Sequence, residues 1–267
     1  EDNNPPQYGK IFIAIKPSQN VNKLTSSEKT LLRDKMRRLN MLTVRPEIVD
    51  ADVIEILVTC NFKFNPRATT KTASELETLV RAAIITHDST YLSGFDSIFR
   101  HSVLATDIDN AESSILSNIT TVKLRKTISP TLGQSKGYEI EFGDGNKFYN
   151  PHLGHNKHGG GITTTTGFKV SGFTDTFFFD DDGEGNLRRY SLSGSERVYA
   201  DSQAGTVDYT NGKITINGIN ILETSNTDDT IHFTVIPNSY DSVAYRSNLL
   251  DINTSSVSYT HLRAHET

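Results

Sequence analysis

Val53-Ile54-Glu55-Ile56-Leu57-Val58-Thr59-Cys60-Asn61-Phe62-Lys63-Phe64 decides how this chain is read, because every even position is apolar while Glu55, Thr59, Asn61 and Lys63 hold odd ones. Side chains alternate across a strand, so this run predicts a long strand with one buried and one largely wet face. Upstream, Ile11, Ile13 and Ile15 alternate with Phe12 and Ala14 between Gly9 and Pro17. With both faces apolar, that shorter run predicts a central strand covered on two sides.

Two helices are announced by their starts. Thr25-Ser26-Ser27-Glu28 and Thr72-Ala73-Ser74-Glu75 both fit the capping box, in which hydroxyl and carboxylate satisfy orphan amide donors reciprocally. Behind the second, Leu76, Leu79, Val80, Ala83 and Ile84 form one helical stripe, and Leu32, Met36 and Leu39 do so less completely behind the first. A third helix is predicted from Ser102 to about Asn110, then a strand over Ile119–Arg125.

Beyond Pro130 and Gly133 the pattern changes to short strands with turn residues between them. Asp144-Gly145 follows Tyr138–Phe142, Asp182-Gly183-Glu184-Gly185-Asn186 separates Phe177–Phe179 from Leu187–Tyr190, and Asn211-Gly212 joins Gly205–Tyr209 to Lys213–Ile216. Such dipeptides adopt the positive φ that tight hairpins require. The expectation is an α+β chain: a ferredoxin-like α/β sandwich domain over 9–129, with helices on one face of a mostly antiparallel sheet, and an all-β region of short hairpins over 130–256. Residues 1–8 read as a linker from a preceding region. Ser258–Thr267 shares no pattern with the rest and resembles translated sequencing-adapter read-through, so 257–267 is set aside as an artefactual tail.

Composition narrows the function. The 267 residues leave room for two domains, and the net charge of −5 argues against a general nucleic-acid binder. No apolar run approaches the length of a membrane span. The single cysteine, Cys60, falls on the apolar face of the long strand, which excludes an internal disulfide, argues against a nucleophilic role and suits a reducing compartment.

Motifs with chemical potential are few. Gly133-Gln134-Ser135-Lys136-Gly137 matches G-x-S-x-G, but that motif needs a strand entering and a helix leaving, and here a strand leaves. Ser26-Ser27-Glu28-Lys29 contains S-x-x-K without the companion Ser-Asp-Asn and Lys-Thr-Gly signatures, and the capping box already accounts for it. His152, His155 and His158 lie close together in a Gly-rich segment; imidazoles ligate zinc, nickel or iron, yet an exposed polar loop is the favoured reading. Asp180-Asp181-Asp182-Gly183-Glu184-Gly185-Asn186 clusters carboxylates but lacks the terminal glutamate of an EF-hand loop, so an acidic hairpin tip is expected. Glu139 and Glu141 share one side of a strand with no partner acid beside them, and the absence of tryptophan removes the commonest sugar-stacking component. No catalytic, cofactor or metal residue is assigned.

Several strings taken together resemble a known family. Tyr8–Pro17, Pro46-Glu47-Ile48-Val49-Asp50, Ser117–Lys126, Phe148-Tyr149-Asn150-Pro151-His152, Gly167-Phe168, Phe179–Gly183, Gly205–Ile214 and Arg246–Ile252 are similar to the baseplate wedge protein family, product of gene six, of T4-like contractile-tailed bacteriophages, within the baseplate J-like group. The resemblance implies the carboxy-terminal half of a structural, non-enzymatic subunit in the virion tail baseplate, assembled in the host cytoplasm. It further implies self-pairing that closes an inner ring and docking of other wedge proteins, with no cofactor, nucleic acid or membrane. It assigns no individual partner-binding residue. A receptor- or glycan-binding tail module and a tail enzyme such as a cell-wall hydrolase are the alternatives from other classes.

Overall fold

The computed structural model describes residues 9–16, 24–38, 45–143, 145–149, 163–244 and 248–263. The helical part comprises β1 (Lys10–Ala14), α1 (Ser26–Arg37), β2 (Arg45–Val49), β3 (Asp52–Phe64), α2 (Ala73–Tyr91), β4 (Ile98–Phe99), α3 (His101–Asp109) and β5 (Ile115–Ile128). It continues into β6 (Ser135–Glu141), β7 (Thr163–Thr165), β8 (Phe168–Val170), β9 (Thr176–Asp181), β10 (Asn186–Ser193), β11 (Glu196–Asp208) and β12 (Lys213–Thr224). The last strands are β13 (Ile231–Val235), β14 (Ser242–Val243), β15 (Asn248–Ile252) and β16 (Ser258–Arg263).

Twelve strands form one sheet whose path runs β10-β11-β12-β8-β9-β7-β13-β5-β3-β15, with β16 also on β3 and β6 also on β12. An extra pairing of β10 with β9 closes the circuit β8-β9-β10-β11-β12 into a small barrel. Among the described residues strand content is 49% and helix 18%, which overturns the ferredoxin-like α+β expectation in favour of a mostly β fold. Local pattern misled for a physical reason. Backbone groups along both edges of β3 and β5 must be paired. Their partners, β15, β16 and β13, come from the far end of the chain.

The local elements follow the sequence more closely. In β3 the even positions Ile54, Ile56, Val58, Cys60, Phe62 and Phe64 are all buried, as the alternation requires. Both capping boxes form, with Thr25 and Thr72 as N-caps and Glu28 and Glu75 bonding back. Leu76, Val80 and Ile84 are buried under α2, which contacts α3 and β15, while α3 lies on β5. Asp88 of α2 accepts a bond from the Ile252 amide at 2.9 Å, fastening β15 to the helix layer.

β1 departs from expectation. It pairs in parallel only with β2, through a βαβ crossover whose helix, α1, has no buried residue, and Ile11 is 51% exposed. A strand with apolar residues on both faces need not be central when its sheet has only two members. The other corrections concern turns. Tyr138–Glu141 pairs with β12 rather than with the next strand along the chain, while Asp144, Leu39 and the His152/His155/His158 segment lie outside the described residues. Ser258–Arg263 pairs in parallel with Thr59–Phe64, further along β3 than β15, as β16.

The barrel is closed by tight chain approaches. At Gly205, where β11 meets β12, a Cβ would stand 2.0 Å from the Thr215 carbonyl oxygen, so no larger residue fits. Gly212 turns the β11–β12 hairpin with φ 62°, and Asp208 caps that turn by accepting from the Thr210 and Asn211 amides, both at 3.0 Å. Inside, Phe179 stacks on Phe168 at 4.7 Å and on Phe233 of β13 at 6.1 Å, so the barrel interior is continuous with the core above β5. Among the described residues no helix is long and apolar enough to cross a membrane.

Candidate functional site

The acidic run at the end of β9 gathers several ionisable side chains, and alternation splits it in three. Asp181 points inward with Phe177 and Phe179, Asp180 points outward with Phe178, and Asp182 enters the turn. Hairpin register then sets Arg188 directly across from Asp180. Arg188 donates from Nε to Oδ1 at 3.0 Å and from Nη2 to Oδ2 at 3.1 Å, a bidentate fork, and Nη2 also reaches the Asp181 carbonyl at 2.8 Å.

Two further groups arrive from β11. Arg197 Nη1 donates to Asp180 Oδ2 at 2.6 Å, and the Tyr199 hydroxyl donates to the same oxygen at 3.0 Å. The guanidinium of Arg188 lies 4.3 Å from the Tyr199 ring centre and that of Arg197 4.8 Å from Tyr190, which itself stacks on Phe178 at 5.6 Å. These cation–π contacts fix both arginines over the carboxylate.

Asp181 is equally enclosed, accepting from the Thr163 amide at 2.8 Å and the Tyr209 hydroxyl at 2.9 Å. Burial, with the Asp181 charge beside it, pushes the Tyr209 phenol well above its ordinary range, so it remains a donor. Asp182 accepts from the Glu184 amide at 2.7 Å, the Asn186 amide at 3.0 Å and the Asn186 side chain at 2.6 Å. Burial pushes its carboxyl up, but those bonds outweigh it and hold the group below the usual carboxylate value.

The run ends at a hairpin turn, Asp182–Asn186, but Asp180 and Asp181 are fully buried, and all three carboxylates are engaged by protein donors. A hard cation would have to displace two arginines. Sequence reading missed Arg188, Arg197, Tyr199, Tyr209 and Thr163. The hairpin turn at Asp182–Asn186 was itself a sufficient signal for Arg188, since it places that residue opposite Asp180.

The remaining sequence candidates are dispersed. Ser135 opens β6 opposite Asn220, in a ladder rather than on a strand-to-helix elbow. Ser26 begins α1, and Lys29 Nζ bonds Asp50 at 2.7 Å. Glu139 and Glu141 both engage Lys213, whose hydrogen bond, more than its charge, holds Glu139 below its ordinary value. Burial pushes the Cys60 thiol up, away from the thiolate a nucleophile needs. Elsewhere, buried Lys126 of β5 joins Asp52 at the start of β3 to the Glu141 carbonyl at the end of β6. Buried His87 of α2 bonds Asp107 of α3 through Nδ1 at 2.6 Å. Both contacts clamp one element to another. Among the described residues no group of three or more metal-ligating side chains converges.

Comparison with known proteins adds two matches. Residues 54–127 match the family described as Baseplate structural protein gp6, C-terminal domain III, and residues 1–49 match Baseplate structural protein gp6, C-terminal domain I. No curated protein matches the chain.

Proposed function

From a chain that carries C-terminal domains I and III of the baseplate structural protein gp6 family, and is thereby a structural protein of the phage tail baseplate, we propose a wedge subunit that pairs with itself to build the inner ring and docks neighbouring wedge proteins. Its work is shape and contact rather than catalysis.

The observation that carries this reading is the family match over β3, α2, β4, α3 and β5. The polar clusters support it. At the Asp180 corner, acids, arginines and tyrosines satisfy one another, whereas a general acid or base must face a substrate. The sheet also runs unbroken from β15 through β5 and β13 into the barrel, so a contact made on one part is braced by the other. Closed rings need either an isologous patch used twice or a head-to-tail pair of patches, and both demand a fixed surface.

Co-expression with the other wedge subunits, followed by imaging of purified assemblies, tests the proposal. Ring segments containing this chain in pairs are the expected result. A chain that co-purifies with none of them and stays single in every image overturns it.

A further inference from the structure

Arg188 and Arg189 are neighbours on β10, yet only one of them has an acid. Alternation sends Arg188 to the outer face, onto Asp180, and Arg189 to the inner face, onto aromatic rings. The Arg189 guanidinium lies 5.1 Å from the Phe177 ring centre and 5.6 Å from that of Phe173, and the two rings meet edge to face at 5.3 Å. Its Nε is buried without a hydrogen-bond partner. Asp201, in register with it on β11, accepts from the Gln203 amide at 2.9 Å instead. Among the described residues no carboxylate lies within ion-pair distance of Arg189.

The surroundings of this arginine are apolar and open. Cross-strand register sets Phe177, Ser191 and Val198 in one row over β9, β10 and β11, on the face that carries Arg189. At one end of the row Phe173 packs on Phe177 and is itself 51% exposed, and at the other end Val198 is 51% exposed. Ser191, small and partly exposed, separates them. Beyond Ser191 and Val198 the β10–β11 hairpin pairs with neither β9 nor β12, so this face stays accessible at the hairpin's outer end.

A guanidinium is a planar fork of donors that matches a carboxylate. The two rings hold this one in place before any anion arrives, so little rotamer freedom is lost on binding. A buried donor without an acceptor costs stability, and the acceptor is what a ligand can supply. We propose that Phe173, Arg189, Ser191 and Val198 form a docking site for an acidic residue flanked by apolar side chains, presented by another baseplate subunit. The carboxylate takes Arg189, and its apolar neighbours cover Phe173 and Val198. Exposed apolar groups on both sides of the cation favour a protein segment over a free small carboxylate. The site rests on the docking reading above and gives that reading a surface and a partner chemistry.

The test titrates the full chain with each of the other wedge subunits, purified singly, at low and at physiological salt. Arg189→Met keeps an unbranched side chain on the rings and removes the charge. Val198→Ser removes an exposed apolar group, so its fold is secure whatever happens to the first variant. For the subunit that uses this site, each change should raise Kd at least about tenfold, and the salt dependence of binding should weaken in Arg189→Met alone. The Tm of Arg189→Met should be unchanged or higher, because a buried donor without an acceptor has been removed. A fall in Tm matching that of Arg188→Met marks Arg189 as structural and overturns the proposal. Binding that neither variant alters overturns this surface and leaves docking standing. Loss of self-association in sedimentation equilibrium, with subunit binding intact, makes a second copy the occupant and overturns the partner named here. A wild-type chain that binds none of the wedge subunits overturns both readings.

Discussion

Replacing Asp180 by alanine removes the centre of the β9–β10–β11 corner, and the structure sets the size of the loss. The Asp180 side chain is 0% exposed, Arg188 is 22% exposed and Arg197 is 43% exposed. Breaking a fully buried pair costs about 3–5 kcal/mol, because the remaining charge is stranded. Here both arginines can turn toward water, and the Arg197 contact, being half exposed, is worth at most about 1 kcal/mol. The Arg188 fork, held by two bonds to a charged acceptor, should contribute about 1.5–3 kcal/mol. The net expectation is a loss of about 2–3 kcal/mol, or a fall in Tm of roughly 5–10 °C for a chain of this size. Chemical and thermal melts of Asp180→Ala, Arg188→Ala, Arg197→Ala and the two doubles give the coupling energies directly. The coupling to Arg188 should exceed that to Arg197. An Asp180→Ala cost below about 1 kcal/mol, or the reverse order of couplings, would refute the description of this corner as a braced joint.

Phe179→Ala empties the space between Phe168 and Phe233 and should cost about 3–5 kcal/mol, measured by urea unfolding, with Phe179→Leu costing less. Lys126→Met strips the Glu141 carbonyl of its donor inside the sheet and should cost about 1–3 kcal/mol. Asp52→Asn, at a half-exposed partner of the same lysine, should cost under about 1 kcal/mol. Acid should act on the helix starts. Hydrogen bonds from the Thr25 and Thr72 backbones hold the Glu28 and Glu75 carboxyls below their ordinary value. A carboxyl depressed in the folded state stabilises fully above its unfolded value, and that stabilisation disappears as pH falls through the lower folded value. Far-UV ellipticity and melting temperature across that acid range should fall more steeply for the wild type than for the Glu28→Gln, Glu75→Gln double variant, which has no carboxyl to titrate at either helix start. Equal slopes would contradict the capping account.

How much of this was legible depended on range. β3 with its even-numbered apolar set, the two capping boxes, α3 and the Asn211-Gly212 hairpin are encoded within a dozen residues and were readable. The fold class was not, because the partners of β3 and β5 are strands more than a hundred residues away, and alternation says which face is buried without saying which strand lies beside it. β1 misled because apolar residues on both faces were read as a central position, whereas its sheet has two members. At the candidate corner, the clustered aspartates read as an acidic hairpin tip, and nothing local showed that two of them are buried. Asp180 is covered in part by Arg197 and Tyr199, whose strand meets β10 through bulges that no local pattern announces, and Asp181 by Thr163 and Tyr209 from other strands.

The closed circuit of β8, β9, β10, β11 and β12 has a mechanical corollary. A strand at an open edge can be unzipped one hydrogen bond at a time, so a small force suffices. Every member of the circuit instead has a neighbour on at least two sides, and Asp180 ties three of them together at one end. Tension along any of these strands is resisted in shear by many bonds loaded at once, which suits a structural component of a phage tail baseplate.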